Sequence, residues 1–240
     1  MSTRQRIDQQ PAFVLHTHPW RETSLIVEVF ARDFGRVGLV AKGARRPLSA
    51  LRGVIMAFQP LRVDWSGGGE VKTLIRAEWQ GGQPLLTGRA LMCGYYLNEL
   101  LVRLTAREDA HPALFDAYAQ TLAALVHTTA AAPVLRRFEL ALLRELGYGV
   151  GLDAEADTGE PIDAGRDYVY IIEKGPVQGA TAPPGLPTVS GRTLLDLAND
   201  DFSRAETVAQ SKALLRALIN HYLGGQPLQS RRVLKELQEL

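Results

Sequence analysis

Val37-Gly38-Leu39-Val40-Ala41-Lys42-Gly43-Ala44-Arg45-Arg46-Pro47 reads as a strand that ends in a glycine-containing turn carrying three cations. It lies inside a window, residues 34–63, with six basic residues (Arg36, Lys42, Arg45, Arg46, Arg52 and Arg62) and no acidic one. Cations fixed on a β-scaffold, rather than on a flexible tail, make a track for an anionic polymer, and nucleic acid is the commonest such partner.

Around this stretch the first third of the chain repeats the same pattern. Short β-type runs at 13–16, 25–30, 37–42, 61–65 and 71–77 are separated by turn signals. Leu25, Val27 and Val29 alternate with Ile26 and Glu28, and Leu61, Val63 and Trp65 alternate with Arg62 and Asp64. In the last run Val71, Thr73, Ile75 and Ala77 form the expected buried side, with Lys72, Leu74 and Arg76 opposite. Period two with one apolar side is what a small closed barrel requires. Asp33-Phe34-Gly35 and Ser66-Gly67-Gly68-Gly69 supply hairpin turns, because glycine reaches positive φ without steric cost. Five short strands with basic loops predict an oligonucleotide-binding (OB) barrel over residues 1–80 rather than a sandwich, which takes about seven strands.

After residue 82 the period becomes helical, so the fold class is α+β, with a mostly helical domain over 81–240. Amphipathic helices are expected over 88–105, 112–126 and 133–146, the last stopping at Gly147. Ser203-Arg204-Ala205-Glu206 has the form of a capping box opening a helix through Tyr222 to Gly224-Gly225, and Ser190 and Ser230 are placed to cap two shorter helices. Residues 151–188 break the pattern. Asp153, Glu155, Asp157, Glu160 and Asp163 crowd their first half, 168–173 reads as one strand, and prolines 176, 183, 184 and 187 mark loop.

Charge divides at the same place. The formal net charge of +1 hides 12 basic against 7 acidic residues in 1–80 and 15 against 19 in 81–240. The single cysteine, Cys93, excludes a disulfide framework and any site built on two thiolates. It lies among Leu91, Met92 and Tyr95, where a buried inert thiol is expected. No apolar run approaches the roughly 18 residues of a membrane span, and the N-terminus lacks an apolar signal core, so a cytoplasmic protein is expected.

Catalytic signatures are scarce. There is no phosphate-binding glycine loop and no Gly-x-Ser-x-Gly elbow. His16-x-His18 offers two ligands where catalytic zinc takes three, and His111, His127 and His221 stand alone beside helix ends. Asp153-x-Glu155-x-Asp157 departs from a calcium loop at Thr158 and Ala164, the positions that need glycine and a bidentate glutamate. The expectation is no enzyme, no metal and no cofactor. An RNA-binding module of translation and a metal-dependent enzyme of nucleic-acid ends remain open as alternatives.

Several segments carry a resemblance. Ala12-Phe13-Val14-Leu15-His16, Trp20-x-Glu22-Thr23-Ser24-Leu25, Gly35-Arg36-Val37, Leu39-Val40-Ala41-Lys42-Gly43-Ala44-Arg45 and Gly69-Glu70-Val71-Lys72-Thr73-Leu74 resemble the N-terminal part of the bacterial RecO family of recombination mediators. Tyr96-Leu97-Asn98-Glu99-Leu100-Leu101, Leu135-Arg136-Arg137-Phe138-Glu139-Leu140, Leu146-Gly147-Tyr148-Gly149 and Pro227-Leu228-Gln229-Ser230-Arg231 continue it in order, over essentially the full length. The resemblance implies an OB barrel followed by a helical domain with a small zinc-ribbon-like insert; here 151–188 contains no cysteine. It also implies binding of single- and double-stranded DNA, annealing of complementary strands, and partnership with RecR. It further implies help for RecA in replacing single-strand-binding protein, near the nucleoid, with no catalytic residue. On that basis Arg36, Lys42, Arg45, Arg46, Lys72 and Arg76 are expected to share one exposed DNA-binding surface, with Phe34 or Trp20 available to stack on a base. Arg136 and Arg137 are expected to hold the acidic, apolar C-terminal tail of single-strand-binding protein.

Overall fold

In the computed structural model, which describes residues 6–179 and 186–238, the alternating runs become β1 (Arg6–Trp20), β2 (Ser24–Ala31), β3 (Gly35–Ala41), β4 (Leu61–Ser66) and β5 (Val71–Trp79). They close into a barrel in the order β1-β2-β3-β5-β4, with β3 and β5 the parallel pair. Val27, Val29, Val37, Leu39, Leu61, Val63, Trp65 and Leu74 fill it. Each such side chain contributes roughly 1.5–3 kcal/mol relative to remaining in water. The β2–β3 turn needs Gly35 for two reasons: its φ is +65°, and a Cβ there would lie 1.8 Å from the carbonyl oxygen of Asp109.

Two of the barrel's three register shifts re-aim apolar strand residues. Ala12 and Val14 face the core opposite Ala31 and Val29, but the register shifts between Val14 and His16, so that His16 pairs with Glu28. One inserted residue, Leu15, reverses the facing of everything beyond it. The carbonyls of Leu15 and Val14 accept hydrogen bonds from Nδ2 of buried Asn98 at 2.9 and 3.4 Å, and the Tyr118 hydroxyl donates to the Asn98 oxygen at 2.5 Å. The second bulge corrects the expected faces of β5. The register shifts between Asp64 and Trp65, which leaves Ile75 without a partner in β4; Leu74 and Ala77 turn inward, and Val71 and Ile75 are 40% and 46% exposed.

Helices α1 (Gly88–Leu104) and α2 (Pro112–His127) complete the barrel's packing. Phe13 and Phe30, on its outer side, meet Phe115 and Tyr118 of α2 with ring centroids 5.2–6.2 Å apart. Cys93 is buried in α1 and forms no disulfide. The last helix, α6 (Gln229–Gln238), returns to α1, where the Glu99 carboxylate accepts from the backbone N–H of Gln229 and Ser230 and from the Ser230 hydroxyl at 2.7, 2.8 and 2.6 Å. Ser230 therefore sits inside the first turn of α6 and is bound by Glu99, instead of capping that helix itself. The Arg231 guanidinium lies 5.3 Å over the Tyr96 ring. All these elements belong to one compact unit, drawn from the Met1–Thr128 and Leu228–Leu240 portions of the chain.

The second unit, Thr129–Pro227, holds α3 (Ala131–Glu145), β6 (Asp167–Ile171), β7 (Gly175–Gln178), β8 (Thr188–Ser190), α4 (Gly191–Ala198) and α5 (Ala205–Tyr222). Helices α3 and α5 pack together, and Tyr148 stacks on Tyr222 at 3.7 Å. The sequence pattern shows only β6 of the sheet β7-β6-β8. Pro176, expected in loop, lies in β7, where an edge strand tolerates a residue that cannot donate to the ladder. Prolines 183 and 184 lie outside the described residues. Ser190 caps α4 as expected, accepting from the Thr193 N–H. The Ser203 box does not form: α5 begins after Arg204, the Ser203 N–H donates to Asp201, and Glu206 engages Arg204 and Gln210. Among the described residues no helix is long and apolar enough to cross a membrane.

Candidate nucleic-acid interface

The turn after β3 is tied to the turn between β1 and β2. The Arg45 N–H donates to the Thr23 carbonyl at 2.8 Å, and its guanidinium reaches the carbonyls of Glu22 and Arg21 at 3.3 and 3.4 Å. Between the two turns lies an open groove of about 510 Å³ lined by Trp20, Arg21, Glu22, Val40, Lys42 and Arg46, among others. Trp20 is 43% exposed, and Lys42 and Arg46 are exposed and form no ion pair with any described residue. Three cations, Arg21, Lys42 and Arg46, face one carboxylate, Glu22, so an indole beside net positive charge offers a base a stacking plane and its phosphates a counter-charge.

The other expected members are placed differently. Arg36 is turned inward: its guanidinium donates to Glu28 at 3.1 Å and to the Thr105 carbonyl at the end of α1 at 2.8 and 3.1 Å. Burial lowers its pKa from the usual value against the pull of Glu28. The same buried Glu28 receives Arg107 at 2.8 and 3.2 Å, so one carboxylate joins β2, β3 and the segment after α1. Lys72 has an 11% exposed side chain and pairs with Glu108, and Arg76 pairs with Glu78. Phe34 is partly buried, packing at right angles to Trp65 against the barrel core rather than beside the groove. Of the eight residues expected on one surface, Trp20, Lys42, Arg45 and Arg46 are brought together.

Arg136 and Arg137 also part company. The Arg136 side chain is 9% exposed and donates at 2.6 Å to Glu139, which is wholly buried. It is an internal pair of α3 rather than a surface cation. Arg137 is half exposed, grips both oxygens of Asp200 at 2.8 and 2.9 Å, and lies 5.1 Å over the Phe202 ring.

His16 and His18 are exposed with ring centroids 4.1 Å apart. Partial burial and His18 hold the His16 imidazole below its ordinary pKa, against the opposing pull of Glu28. Among the described residues no group of three His, Cys, Asp or Glu side chains is placed to hold a metal ion. The 151–188 insert has neither cysteine nor histidine, so its residues do not fit a structural zinc. Hydrogen bonds close it instead, among them Glu155 N–H to the Glu160 carbonyl at 2.8 Å, Ile162 N–H to Asp153 at 2.9 Å, and Asp163 N–H to the Tyr168 hydroxyl at 2.9 Å.

Family models agree with this architecture along almost the whole chain: residues 5–82 match "Recombination protein O N terminal" and residues 85–232 match "Recombination protein O C terminal". The chain belongs to the RecO family. It is 79% identical over its full length to the full-length DNA repair protein RecO of Aromatoleum aromaticum. It is 69% and 55% identical, again over both full lengths, to the proteins of the same name from Azoarcus sp. (strain BH72) and Dechloromonas aromatica. A RecO chain has a role in DNA repair. The segments that carried the resemblance in sequence prove to touch one another: Glu99 and Tyr96 of α1 hold Ser230 and Arg231, and Leu15 is bound by Asn98.

Proposed function

We propose that this RecO binds DNA through the barrel groove of Trp20, Lys42, Arg45 and Arg46 and, without catalysing a covalent step, anneals complementary strands during recombinational repair. The carrying observation is the convergence of an exposed indole with two unpaired cations on one concave surface. Cations that neutralise the phosphates of two strands together lower the repulsion that slows annealing, while base pairing supplies the sequence recognition. On this reading residues 1–80 are the DNA-binding module, and 81–240 serve partners: RecR, and single-strand-binding protein whose displacement by RecA the protein assists in the cytoplasm, at the nucleoid. Arg137, beside Phe202, is the cation of the expected pair that an acidic tail can reach, in competition with Asp200.

The test is annealing of complementary strands coated with their cognate single-strand-binding protein. The intact chain should accelerate it without nucleotide or divalent metal, and the combined Lys42→Ala, Arg45→Ala, Arg46→Ala variant should not. A variant as fast as the parent would remove this groove from the reaction.

A further inference from the structure

The Leu15 bulge has a chemical consequence on the barrel's outer face. Beyond it, His16, His18 and Trp20 occupy alternate positions of β1 and are all exposed. Alternate residues of a strand point to one side, so the three rings share one side of β1, with His16 and His18 meeting edge to face at a centroid distance of 4.1 Å. Across the sheet His16 pairs with Glu28, His18 with Ile26 and Trp20 with Ser24, and Ile26 pairs in turn with Val40. Ile26 and Val40 are half-buried and form an apolar floor beside the rings; Val40 also lines the groove that holds Lys42 and Arg46. The remainder of this face is closed. Phe13 and Phe30 lie under Phe115 and Tyr118, and Glu28 is held by Arg36 and Arg107. The open stretch begins where the bulge turns His16 outward.

We propose that His16, His18 and Trp20 are a stacking row that makes this face selective for single-stranded DNA over duplex; the proposal rests on the reading that the face binds DNA. Rings need the flat faces of bases, which a single strand can turn outward and a duplex keeps inside its stack. The groups facing His16 are His18 and Glu28, and the carboxylate is already engaged by two arginines. The lowered pKa of His16 keeps its imidazole neutral near pH 7, so it presents a ring rather than a charge to the strand. The cations at the end of the row bind phosphates of either form of DNA; the rings discriminate.

The experiment is fluorescence anisotropy of the full chain with labelled oligo-dT and with a hairpin duplex matched in phosphate number, across a salt series. Trp20→Ala, and His16→Ala with His18→Ala, should each weaken oligo-dT binding about fivefold or more, the least expected for one lost base–aromatic stack. Duplex affinity and the salt slope should stay as in the parent, and His16→Phe with His18→Phe should restore oligo-dT binding, because the ring returns without the charge. Lys42→Ala with Arg46→Ala is the reference and should weaken both ligands. Ring variants that lose both ligands equally, or neither, while the reference variant loses both, would overturn the stacking row alone. A reference variant that also binds normally would show that DNA does not use this face at all.

Discussion

Asn98 is the residue on which the facing of β1 depends, and Asn98→Leu tests that dependence. The buried amide donates to the Leu15 carbonyl at 2.9 Å and accepts from the Tyr118 hydroxyl at 2.5 Å. Leucine fills a similar volume but does neither. The bulge carbonyl then lies buried without its donor and Tyr118 loses its acceptor, at about 1–3 kcal/mol for each group, so a loss of about 2–5 kcal/mol is expected. Tyr118→Phe alone should cost about 1–3 kcal/mol, and the double variant should fall short of the sum by at least ~1 kcal/mol, because each substitution removes the same bond. Urea unfolding followed by tryptophan emission reads this directly, since Trp20, Trp65 and Trp79 all lie in barrel strands. Strict additivity, or single losses below about 0.5 kcal/mol, would refute the claim that this pair holds the bulge.

Three other outcomes follow from named contacts. If Lys42, Arg45 and Arg46 neutralise about three phosphates, single-strand affinity should fall with salt at a log-log slope of roughly −2, and removing all three together should bring it near zero, with sequence preference unchanged; an unaltered slope would move the track elsewhere. Burial alone would raise the Glu99 pKa, but the hydrogen bonds from Ser230 and Gln229, with Arg103, outweigh it and the value is lowered. A lowered carboxylate stabilises the fold fully above its unfolded pKa of about 4.3 and loses that contribution as pH falls through the folded value. Hydrogen-exchange protection of α6 should therefore hold from pH 8 to about 5 and fall below about 4.5, and Glu99→Gln should weaken it at neutral pH; protection independent of Glu99 would refute the docking. Finally, Arg137→Ala should weaken binding of an acidic tail peptide by about 1–3 kcal/mol, and Asp200→Ala, which releases Arg137, should strengthen it; a peptide affinity indifferent to both would place the tail elsewhere.

The barrel was legible because its signal is local. Alternation in 25–30 and 61–65 marks the buried face residue by residue, and the turn glycines mark where strands end. The two bulges were not legible, since each depends on a partner strand: nothing between Phe13 and His16 says that Leu15 is inserted, and Ile75 reads as one more apolar position until β4 is placed beside it. The same limit hid β7 and β8, which are short and lean on β6 for their hydrogen bonds. It hid the Glu99 cap as well, a contact across 130 residues. A trace of the Glu28 hub was visible, as the one acid in the apolar run 25–30, but its two arginines lie on β3 and beyond α1.

Cation density pointed to a surface that the structure only partly assembles, for one physical reason. A guanidinium in a protein is as readily an internal strut as a ligand for phosphate, because its donors satisfy a carboxylate or a helix-end carbonyl equally well. Absence of acids within residues 34–63 says nothing about acids brought from elsewhere: Glu28 comes from β2 to Arg36. Beyond the window, Glu108 comes from after α1 to Lys72 in the same way. Lys42 and Arg46 escape this because the turn that carries them lies against the β1–β2 turn, whose backbone carbonyls are taken by Arg45. Arg45 fixes the geometry, and the two neighbours keep their charge for a ligand. A cation's neighbours in space, more than those in sequence, decide which role it takes. For that reason the proposed DNA site rests on the groove beside Trp20, where Lys42 and Arg46 form no ion pair with any described residue, and not on the count of cations in the window.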